Sequence, residues 1–544
     1  LDHTGPVAEA EANTTRTFGA DHSFYVVNGT STSNKIIWHA YVTRDDLVLV
    51  DRNCHKSILH AIIMTGAIPI YLSGSRNDYG IIGPIARDAF SAESLQQLIE
   101  QHPLVDDSSK RIKLAVLTNS TYDGLCYNTD MIKSQLHDSV DVLHFDEAWF
   151  GYAAFHPFYH GRHGMSEPAE APRTKHALVF ATQSPHKVLA ALSQASIILA
   201  KNSAEQQLDH ERFNEAYMMH TSTSPHYGMI ASIDVATGMM AGPAGRSLVQ
   251  ETLDEALSFR RAMQQTAEQM AEEEWWFDVW EPEASLAQAE LQATDWTLDD
   301  QAEWHGFGKM SSDFAMLDPI KVSLLTPGVE EKGRLAKSGI PAALVTRFLA
   351  ERGLVVEKTG LYSFLILFSL GITKGKWSTL LSELREFKRL YDQDSPLEVT
   401  LPSLARHPSY QSLGLRALGE RLHQCYKKHS LIKLMRQMYT TLPQISLRPA
   451  DAYQQMVRGE VESVPVSALA GRLSAVMLVP YPPGIPVIMP GERFPLDNSY
   501  IADYLAAAIE LEEQFPGFAN DIHGLRMEQF DGQVNWRVDC LIEG

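Results

Sequence analysis

Residues 140–149 read VDVLHFDEAW, a largely apolar run that ends at Asp146 and is followed by Glu147. A short apolar run bounded by polar residues is typical of a buried strand. A carboxylate at the end of such a strand is costly unless a positive or hydrogen-bonding group faces it. Asp146 is therefore a candidate metal ligand, general base or partner of a protonated heterocycle, with a simple helix N-cap as the alternative.

Similar apolar runs alternate with amphipathic stretches of helical period between residues 46 and 200. The runs cover residues 47–50, 68–72, 114–117, 177–180 and 197–200. This alternation predicts an α/β fold with a mostly parallel sheet whose strands are joined by crossover helices. Open sheets of this kind bind ligands at the carboxyl ends of their strands. We therefore expect one crevice to be lined by the polar residues that follow the runs: Asp51, Asn119, Ser120, Asp146 and residues 184–187.

The rest of the chain follows different patterns and predicts two further units. Residues 246–275 have the apolar spacing of one long helix that joins two domains. A smaller α+β domain is expected up to residue 395, with strands at 322–325 and 361–368 and a helix at 342–352. From residue 396, helical stretches surround a rigid proline-rich loop at 480–486. Four aromatic residues should pack the end of the long helix against the core: Trp275, Trp276, Phe277 and Trp280.

Composition excludes several classes of partner for this 544-residue chain. Its 46 Lys and Arg against 67 Asp and Glu give a formal charge of −21, which does not suit a nucleic-acid-binding surface. The longest apolar run, residues 361–372, is far short of the ~20 residues that a membrane-spanning helix needs. The four scattered cysteines predict neither a disulfide framework nor a paired metal site, and they favour a reducing cytoplasm.

Two stretches besides Asp146 carry groups that could bind a ligand. Residues 28–34 read NGTSTSN before a helix-compatible stretch at 35–41, and they suit either a phosphate or a set of helix caps. Lys187 follows a strand, where a lysine in a dry crevice can lose its proton and form a Schiff base, although most lysines are simply solvated. A phosphate site, a strand-end carboxylate and a strand-end lysine together match what pyridoxal phosphate requires.

Ordered motifs along essentially the whole chain carry a family resemblance. They are DRNCHKS at 51–57, TNSTYDG at 118–124, HFDEAW at 144–149, SPHK at 184–187, SQAS at 193–196, YMMHTSTSPHY at 217–227, WHGF at 304–307 and LDPIK at 317–321. The chain resembles the bacterial ornithine, lysine and arginine decarboxylases, which are pyridoxal phosphate enzymes of the aspartate aminotransferase fold (fold type I). The resemblance implies a cofactor-binding large domain at 1–240, a small domain at 241–395 and a C-terminal decarboxylase domain at 396–544.

The resemblance also implies roles around the cofactor ring. Lys187 would hold the cofactor covalently, and Asp146 would pair with the pyridine nitrogen. His55 would stack on one face of the ring, with Ala148 against the other. His186 and Lys187 are the candidate acids that return a proton after carbon dioxide leaves.

Further implied roles concern the phosphate and the neighbouring subunit. Thr30, Ser31 and Ser184 would bind the phosphate, while Ser222 would reach the partner's cofactor across a homodimer. The family motif commonly has threonine where this chain has Pro185. This departure removes a hydroxyl and a backbone N–H beside the phosphate, so it puts the local loop geometry in question.

The choice of substrate rests on weaker signals. Residues 224–227 and 357–360 look like the lysine-specific branch, whereas residues 146–152 are closer to the arginine branch. We favour lysine to cadaverine, then arginine to agmatine, then ornithine to putrescine. Glu357 is the candidate partner for the distal cation of the substrate. An aminotransferase and an inactive assembly protein are the other hypotheses, and the intact Lys187, Asp146 and His55 argue against the second.

Full-length members of the family carry an N-terminal wing domain that helps dimers assemble into a decameric ring. The chain starts at Leu1 without an initiator methionine, so we expect it to begin partway into a longer polypeptide.

Three histidines could instead form a metal site, which is an alternative prediction for this part of the chain. His156, His160 and His163 are spaced by four and three residues, which could present imidazoles on one helical face. Pro157 and Gly161 argue against a regular helix there, and we favour surface or subunit contacts with no metal.

Overall fold

The computed structural model describes residues 3–167, 173–270, 275–282, 291–497, 499–530 and 533–543. The strands between residues 22 and 201 are β1 (His22–Val26), β2 (Leu47–Asp51), β3 (Ile68–Leu72), β4 (Ile112–Thr118), β5 (Leu125–Tyr127), β6 (Val140–Asp146), β7 (Leu178–Gln183) and β8 (Ser196–Lys201). The helices of this part are α1 (Gly5–Phe18), α2 (Thr30–Tyr41), α3 (Lys56–Thr65), α4 (Ala92–Glu100), α5 (Thr129–Leu136) and α6 (Pro185–Val188).

In the part of the chain that the structure describes, the central sheet has seven strands in the order β1-β8-β7-β6-β4-β2-β3. Strands β3, β2, β4, β6 and β7 are mutually parallel, and β8 is antiparallel to both β7 and β1. The predicted α/β fold with a mostly parallel sheet is confirmed. The prediction missed the reversed direction of β8 because a strand buried on both faces has the same composition in either direction.

Both faces of this sheet are covered by apolar layers. Alternate residues of β2 divide between two core clusters: Leu47 and Leu49 belong to one, and Val48 and Val50 to the other. Helices α2 and α3 cover the second face, since they contribute Ile36 and Ile58 to its cluster. The carboxyl ends of the parallel strands therefore open at one edge of a fully covered sheet, where a ligand site is expected.

Three helices follow the large sheet: α7 (His210–His220), α8 (Tyr227–Met240) and α9 (Pro243–Gln269). The long helix predicted at 246–275 is confirmed as α9, which starts three residues earlier and ends at Gln269; residues 271–274 lie outside the described residues. Trp275 packs edge-on against Phe387 and Tyr391, and Phe277 and Trp280 are buried. The predicted packing of these aromatic residues against the core is thus observed.

The segment up to residue 395 contains a second sheet, in the order β14-β15-β11-β9 with antiparallel neighbours. Its elements are β9 (Asp278–Val279), β10 (Ala315–Leu317), β11 (Lys321–Leu325), β12 (Val329–Glu330), β13 (Arg334–Leu335), α10 (Ala342–Glu351), β14 (Lys358–Thr359), β15 (Ser363–Leu367) and α11 (Lys374–Asp392). The predicted strands and helix of this segment are found within a few residues of their expected positions.

The last segment mixes helices with short antiparallel sheets. Its helices are α12 (Leu397–Thr400), α13 (Pro402–Ala405), α14 (Leu415–Lys428), α15 (Leu431–Thr440), α16 (Pro449–Val457) and α17 (Tyr500–Gln514). Its strands are β16 (Gln444–Ile445), β17 (Val461–Pro465), β18 (Val479–Tyr481), β19 (Glu492–Arg493), β20 (Asp521–His523), β21 (Leu525–Phe530) and β22 (Gln533–Leu541). Over the described ranges, we find no helix that combines the length and the apolar character needed to cross a membrane.

The three histidines considered as metal ligands do not share a helix. His156 lies between two short 3₁₀ turns, Gly151–Phe155 and Pro157–Tyr159, and its Nε2 is 2.9 Å from Oε1 of Gln250. Among the described residues, the group of side chains close enough to hold a metal is elsewhere, at Cys425, His429 and Glu510. Within the described ranges, the ligand atoms of His156, His160 and His163 do not come close enough together to form such a group, and the segment is not the regular helix that would present all three on one face.

Candidate functional site

A cavity of about 630 Å³ opens at the carboxyl ends of β2, β4, β6 and β7. Its walls also include the loop at residues 481–485 and residues next to β14. The cavity brings together nine of the residues predicted from the sequence: Thr30, Ser31, His55, Asp146, Ala148, Ser184, His186, Lys187 and Glu357. The expected convergence of strand ends on one crevice is observed for Ser120, Asp146 and most of residues 184–187, whereas Asp51 and Asn119 are buried and do not line the cavity.

Asp146 is the last residue of β6 and is buried at the edge of the cavity. Its Oδ2 accepts a hydrogen bond from Nδ2 of Asn34 over 3.0 Å, and its Oδ1 accepts one from the backbone N–H of Ala148 over 3.2 Å. Thr182 donates from Oγ1 to Oδ1 of Asn34 over 2.8 Å, which sets the direction of the amide. These bonds satisfy the oxygens of the buried carboxylate and fix its orientation.

Hydroxyl groups gather where the chain enters α2. Thr30 Oγ1 lies 2.6 Å from Ser184 Oγ and 2.9 Å from Ser196 Oγ, which in turn lies 2.8 Å from Ser33 Oγ. Gly29 precedes the helix with φ of 75°, a conformation that a residue without Cβ adopts easily. Because α2 begins at Thr30 and not at Lys35, the N–H groups of its first turn lie beside these hydroxyl groups. An anion is favoured at such a helix N-terminus.

Lys187 reaches the cavity from α6, the short helix after β7. Its Nζ lies 4.3 Å from the centroid of the Trp149 ring, over the face of the indole. Burial lowers the pKa of Lys187 below its ordinary value, while Asp146 and Glu357 act in the opposite direction. A lysine with a lowered pKa has more of the neutral amine that attacks a carbonyl carbon.

Two histidines line the cavity together with this lysine. His55 is the N-cap of α3 and accepts a hydrogen bond from the backbone N–H of Ser57 over 3.2 Å, while its ring lines the cavity. His186 pairs through Nδ1 with the carbonyl oxygen of Ala195 over 2.7 Å, so Nδ1 carries the proton. Burial lowers the pKa of His186. The remaining nitrogen, Nε2, is the one that can exchange a proton.

Pro185 is compatible with the backbone geometry of its loop, which the sequence alone did not determine. Ser184 is the N-cap of α6 and Pro185 occupies its first position. A proline is well tolerated there, because the first N–H groups of a helix have no partner within the helix and its φ is already helical. The substitution therefore leaves the turn that presents Lys187 intact, with the N–H of Lys187 donating to the carbonyl of Ser184 over 2.9 Å.

Glu357 forms part of the cavity wall opposite the sheet. Tyr122 donates from its hydroxyl to Oε1 of Glu357 over 2.9 Å. Burial and the adjacent Glu357 raise the pKa of Tyr122, so the tyrosine stays a donor. The next residue, Lys358, is buried and paired with both oxygens of Asp123 at 2.7 and 2.8 Å. Glu357 is thus an oriented carboxylate whose charge is not neutralised by its lysine neighbour.

Ser222 is the predicted cofactor-binding residue that the structure does not bring to the cavity. It is exposed in the turn between α7 and α8, and its Oγ accepts a hydrogen bond from the N–H of Ser224 over 3.1 Å. Its predicted role toward a neighbouring subunit stays a prediction.

Several site residues were missed by reasoning from the sequence. Asn34, Trp149 and Tyr122 all lie in quoted motifs, but nothing in their spacing showed that they orient Asp146, Lys187 and Glu357. The loop at 481–485 was recognised as rigid, yet its place in the cavity wall depends on how the C-terminal segment packs.

The residues present fit pyridoxal phosphate. The hydroxyls of Thr30 and Ser184 with the N-terminus of α2 suit its phosphate, the oriented Asp146 carboxylate suits a protonated ring nitrogen, and Lys187 suits its aldehyde. Fold and site together define an α/β protein whose cavity gathers a lysine, a buried carboxylate and a cluster of hydroxyl groups.

Comparison with known proteins identifies the family. The model described as "Orn/Lys/Arg decarboxylase, major domain" matches residues 1–376, and the one described as "Orn/Lys/Arg decarboxylase, C-terminal domain" matches residues 432–542. The chain belongs to the Orn/Lys/Arg decarboxylase family, which confirms the resemblance seen in the sequence.

Individual relatives match along nearly the whole chain. Lysine decarboxylase LdcA of Pseudomonas aeruginosa is 58% identical, over 100% of this chain and 72% of that protein. The constitutive lysine decarboxylase of Escherichia coli is 44% identical, over 99% of this chain and 73% of that protein. The biodegradative arginine decarboxylase of Escherichia coli is 42% identical, over 96% of this chain and 72% of that protein.

Solved structures agree with this assignment. Lysine decarboxylase A from Pseudomonas aeruginosa superposes with a TM-score of 0.96 at 57% identity, over 99% of this chain and 72% of that one. The Francisella novicida lysine decarboxylase superposes with a TM-score of 0.91 at 41% identity, over 99% of this chain and 72% of that one.

Proposed function

We propose that the chain is a pyridoxal phosphate-dependent lysine decarboxylase that forms cadaverine and carbon dioxide. The observation that carries the proposal is the position of Lys187, in one cavity with the buried carboxylate of Asp146 and the hydroxyl cradle at Thr30. The lysine branch is supported by the relative at 58% identity, which is named a lysine decarboxylase, against 42% for an arginine decarboxylase and 33% for an ornithine decarboxylase. Arginine is the second candidate substrate.

The residues around the cavity divide the work of binding the cofactor. Thr30, Ser31 and Ser184 hold the phosphate, together with the first N–H groups of α2. Lys187 binds the aldehyde carbon, and His55 and Ala148 hold the ring between them. Bound pyridoxal phosphate supplies the electron sink that stabilises the carbanion left when carbon dioxide departs.

Asp146 and His186 each act on one proton of the reaction. Asp146 would keep a proton on the pyridine nitrogen of the bound cofactor, because a close opposite charge at an effective dielectric near 20 contributes about 4 kcal/mol, which raises a pKa by about three. His186 delivers a proton from Nε2 to the carbon that has lost carbon dioxide, with Lys187 as the alternative donor. Each turnover consumes one proton, which would help an acid-stressed cell.

Glu357 is proposed to select a basic side chain. Tyr122 orients the carboxylate through Oε1. Its second oxygen would accept a hydrogen bond from the distal ammonium of the substrate, and a charge-assisted bond of this kind is stronger than a neutral one.

Product identification tests the proposed function most directly. Purified protein loaded with pyridoxal phosphate is given equal concentrations of lysine, arginine and ornithine, and the amines and carbon dioxide are measured. Cadaverine as the main product supports the proposal, and agmatine would favour the arginine alternative. Keto acids without carbon dioxide would indicate an aminotransferase. A protein that never develops a borohydride-sensitive visible absorbance would be an inactive relative.

We also propose a homodimer with shared active sites, and we propose that such dimers assemble into a decamer in the cytoplasm. Exposed apolar side chains near Ser222 support a subunit contact there: Met218, Met219, Tyr227, Val235 and Met239. The four cysteines are buried free thiols, which suits a reducing compartment. The division into domains at 1–240, 241–395 and 396–544 is kept as part of this proposal. The seven-stranded sheet, the four-stranded sheet and the sheet β17-β22-β21 each fall within one segment, whereas β5 of the first segment pairs with β10 of the second.

A further inference from the structure

Arg52 and Glu492 form a buried, bidentate ion pair. Nη1 of Arg52 lies 2.6 Å from Oε1 of Glu492, and Nη2 lies 2.8 Å from Oε2. The two side chains are 4% and 1% exposed, so the pair is shielded from water and salt. Two parallel hydrogen bonds between a guanidinium and a carboxylate fix the relative orientation of both groups.

The pair joins two distant parts of the chain, each of which lies close in sequence to residues that line the cavity. Arg52 follows β2 and lies three residues before His55, and its own N–H donates to the carbonyl of Leu72 over 2.8 Å. Glu492 lies in β19, seven residues after the cavity-lining loop at 481–485 ends. Arg52 falls within the match to the major-domain model and Glu492 within the match to the C-terminal-domain model.

The ion pair also holds the segment between the loop and Glu492. Oε2 of Glu492 accepts the backbone N–H of Met489 over 2.8 Å, and Nη2 of Arg52 donates to the carbonyl of Val487 over 3.4 Å. Both ends of residues 487–492 are therefore connected to a single guanidinium. That guanidinium belongs to the turn that carries His55. The same side chain therefore connects this turn to the segment that follows the loop.

Stability alone is a poor explanation for such a pair. Removing two charges from water costs several kcal/mol per ion, and apolar replacements of buried pairs are often neutral or stabilising. What a bidentate pair provides over an apolar contact is a specific geometry. The exposed pair of Arg44 with Asp451, at 2.9 Å, joins neighbouring parts of the same two segments and gives a natural comparison.

We propose that Arg52 and Glu492 are positioning residues that set the loop at 481–485 against the turn bearing His55, and thereby set the substrate end of the cavity. The inference rests on the proposed decarboxylase function for its kinetic consequence. Its structural consequence, an ordered segment at 487–492, is independent of the substrate.

The experiment compares full-length variants loaded with pyridoxal phosphate. Arg52→Lys keeps the charge but loses the bidentate fork. The double variant Arg52→Met/Glu492→Leu removes both charges together, so that neither is left buried and unpaired. Arg44→Met is the matched control, because it breaks the exposed pair. Hydrogen exchange of residues 478–493 is measured by mass spectrometry, and KM and kcat for lysine are measured on the same samples.

We expect exchange in residues 487–492 to rise at least about tenfold in the double variant, and kcat/KM to fall about tenfold to a hundredfold, mainly through KM. Arg52→Lys should lie between the parent and the double variant, and Arg44→Met should match the parent. Parental exchange and KM in the folded double variant would overturn the proposal. If the double variant does not fold, the hydrogen exchange and the kinetic constants of Arg52→Lys test the proposal instead. A parent without decarboxylase activity would overturn the proposed function, while the exchange data would still test the ion pair.

Discussion

Nδ2 of Asn34 donates a hydrogen bond to Oδ2 of Asp146 over 3.0 Å, and both side chains are buried. Asn34 lies in α2, the helix that also presents the anion cradle at its start. One helix thus carries both the hydroxyl cluster at its N-terminus and the amide that orients the Asp146 carboxylate.

Asp146→Asn should lower kcat by roughly a thousandfold while the protein still takes up pyridoxal phosphate, because about 4 kcal/mol of support for the ring proton is lost. Asn34→Ala, which removes one hydrogen bond and keeps the charge, should cost only about tenfold. Steady-state kinetics and the visible absorbance of the cofactor provide the measurements. Parental turnover in Asp146→Asn would contradict the role of the carboxylate.

Lys187→Ala should abolish the release of carbon dioxide from lysine, since the amine that binds the aldehyde is gone. Lys113→Ala serves as the control, because Lys113 pairs with Asp141 outside the cavity. Borohydride treatment followed by peptide mass spectrometry should find the reduced cofactor on residue 187 of the parent and on no peptide of the variant. Labelling of a different lysine in the parent would show that the site is misassigned.

Thr30→Val should weaken the binding of pyridoxal phosphate about tenfold, because a buried hydroxyl that faces the phosphate is replaced by a methyl group. Thr32→Val is the matched control. Thr32 is buried in the same turn of α2, but its hydroxyl donates to the carbonyl of Asn28 over 3.0 Å. Absorbance titration of cofactor-free protein gives both dissociation constants. Equal dissociation constants for the two variants would show that the Thr30 hydroxyl does not bind the phosphate.

Glu147 should make stability depend on pH near neutrality. Burial raises the pKa of this carboxyl to about 7, although it accepts hydrogen bonds from Asn119, Gly164 and Gln183. A raised pKa means that the folded state binds the Glu147 proton more tightly than the unfolded state does. The stabilisation that this proton gives to the folded state is therefore complete below pH ~4.5 and is lost as the pH rises through about 7. A shift of this size corresponds to about 3 kcal/mol.

The measurement is the Tm of the parent relative to Glu147→Gln, which has no carboxyl to titrate. This difference should fall as pH increases from 5 to 8. A difference that does not vary with pH over that range would show that Glu147 has an ordinary pKa in the folded protein.

Ser222 can be tested by subunit complementation. Ser222→Arg and Lys187→Ala are inactivating in separate ways, and they are mixed under conditions that exchange subunits. If Ser222 serves the partner's cavity, the mixed dimer has one site with both native residues, and up to about half of the activity per dimer should return. Mixing two preparations of Lys187→Ala is the control. Absence of recovery in verified mixed dimers would place Ser222 outside the partner's site.

Much of the site was predictable because strand ends are predictable. An apolar run followed by a polar residue locates Asp146 and Lys187 at the same edge of the sheet, and the crevice follows from parallel topology. Contacts between distant segments leave no such local pattern. The bond from Asn34 to Asp146 and the pair of Arg52 with Glu492 depend on packing that neither residue's neighbours in the chain indicate.

The direction of β8 and the first turn of α2 show two further limits. Ser196–Lys201 is buried on both faces, so no alternation of polar side chains marks its orientation. Thr30 to Asn34 are weak helix formers, and they are helical here because Gly29 and the hydroxyl contacts with Ser184 and Ser196 hold the turn.

The loop at residues 481–485 closes one side of the cavity that Lys187 lines. Nearly three hundred residues separate the loop from Lys187 in the chain. The ribosome therefore releases Lys187 long before it adds the loop, and the cavity is complete only after the C-terminal segment has been synthesised and has packed against the large sheet.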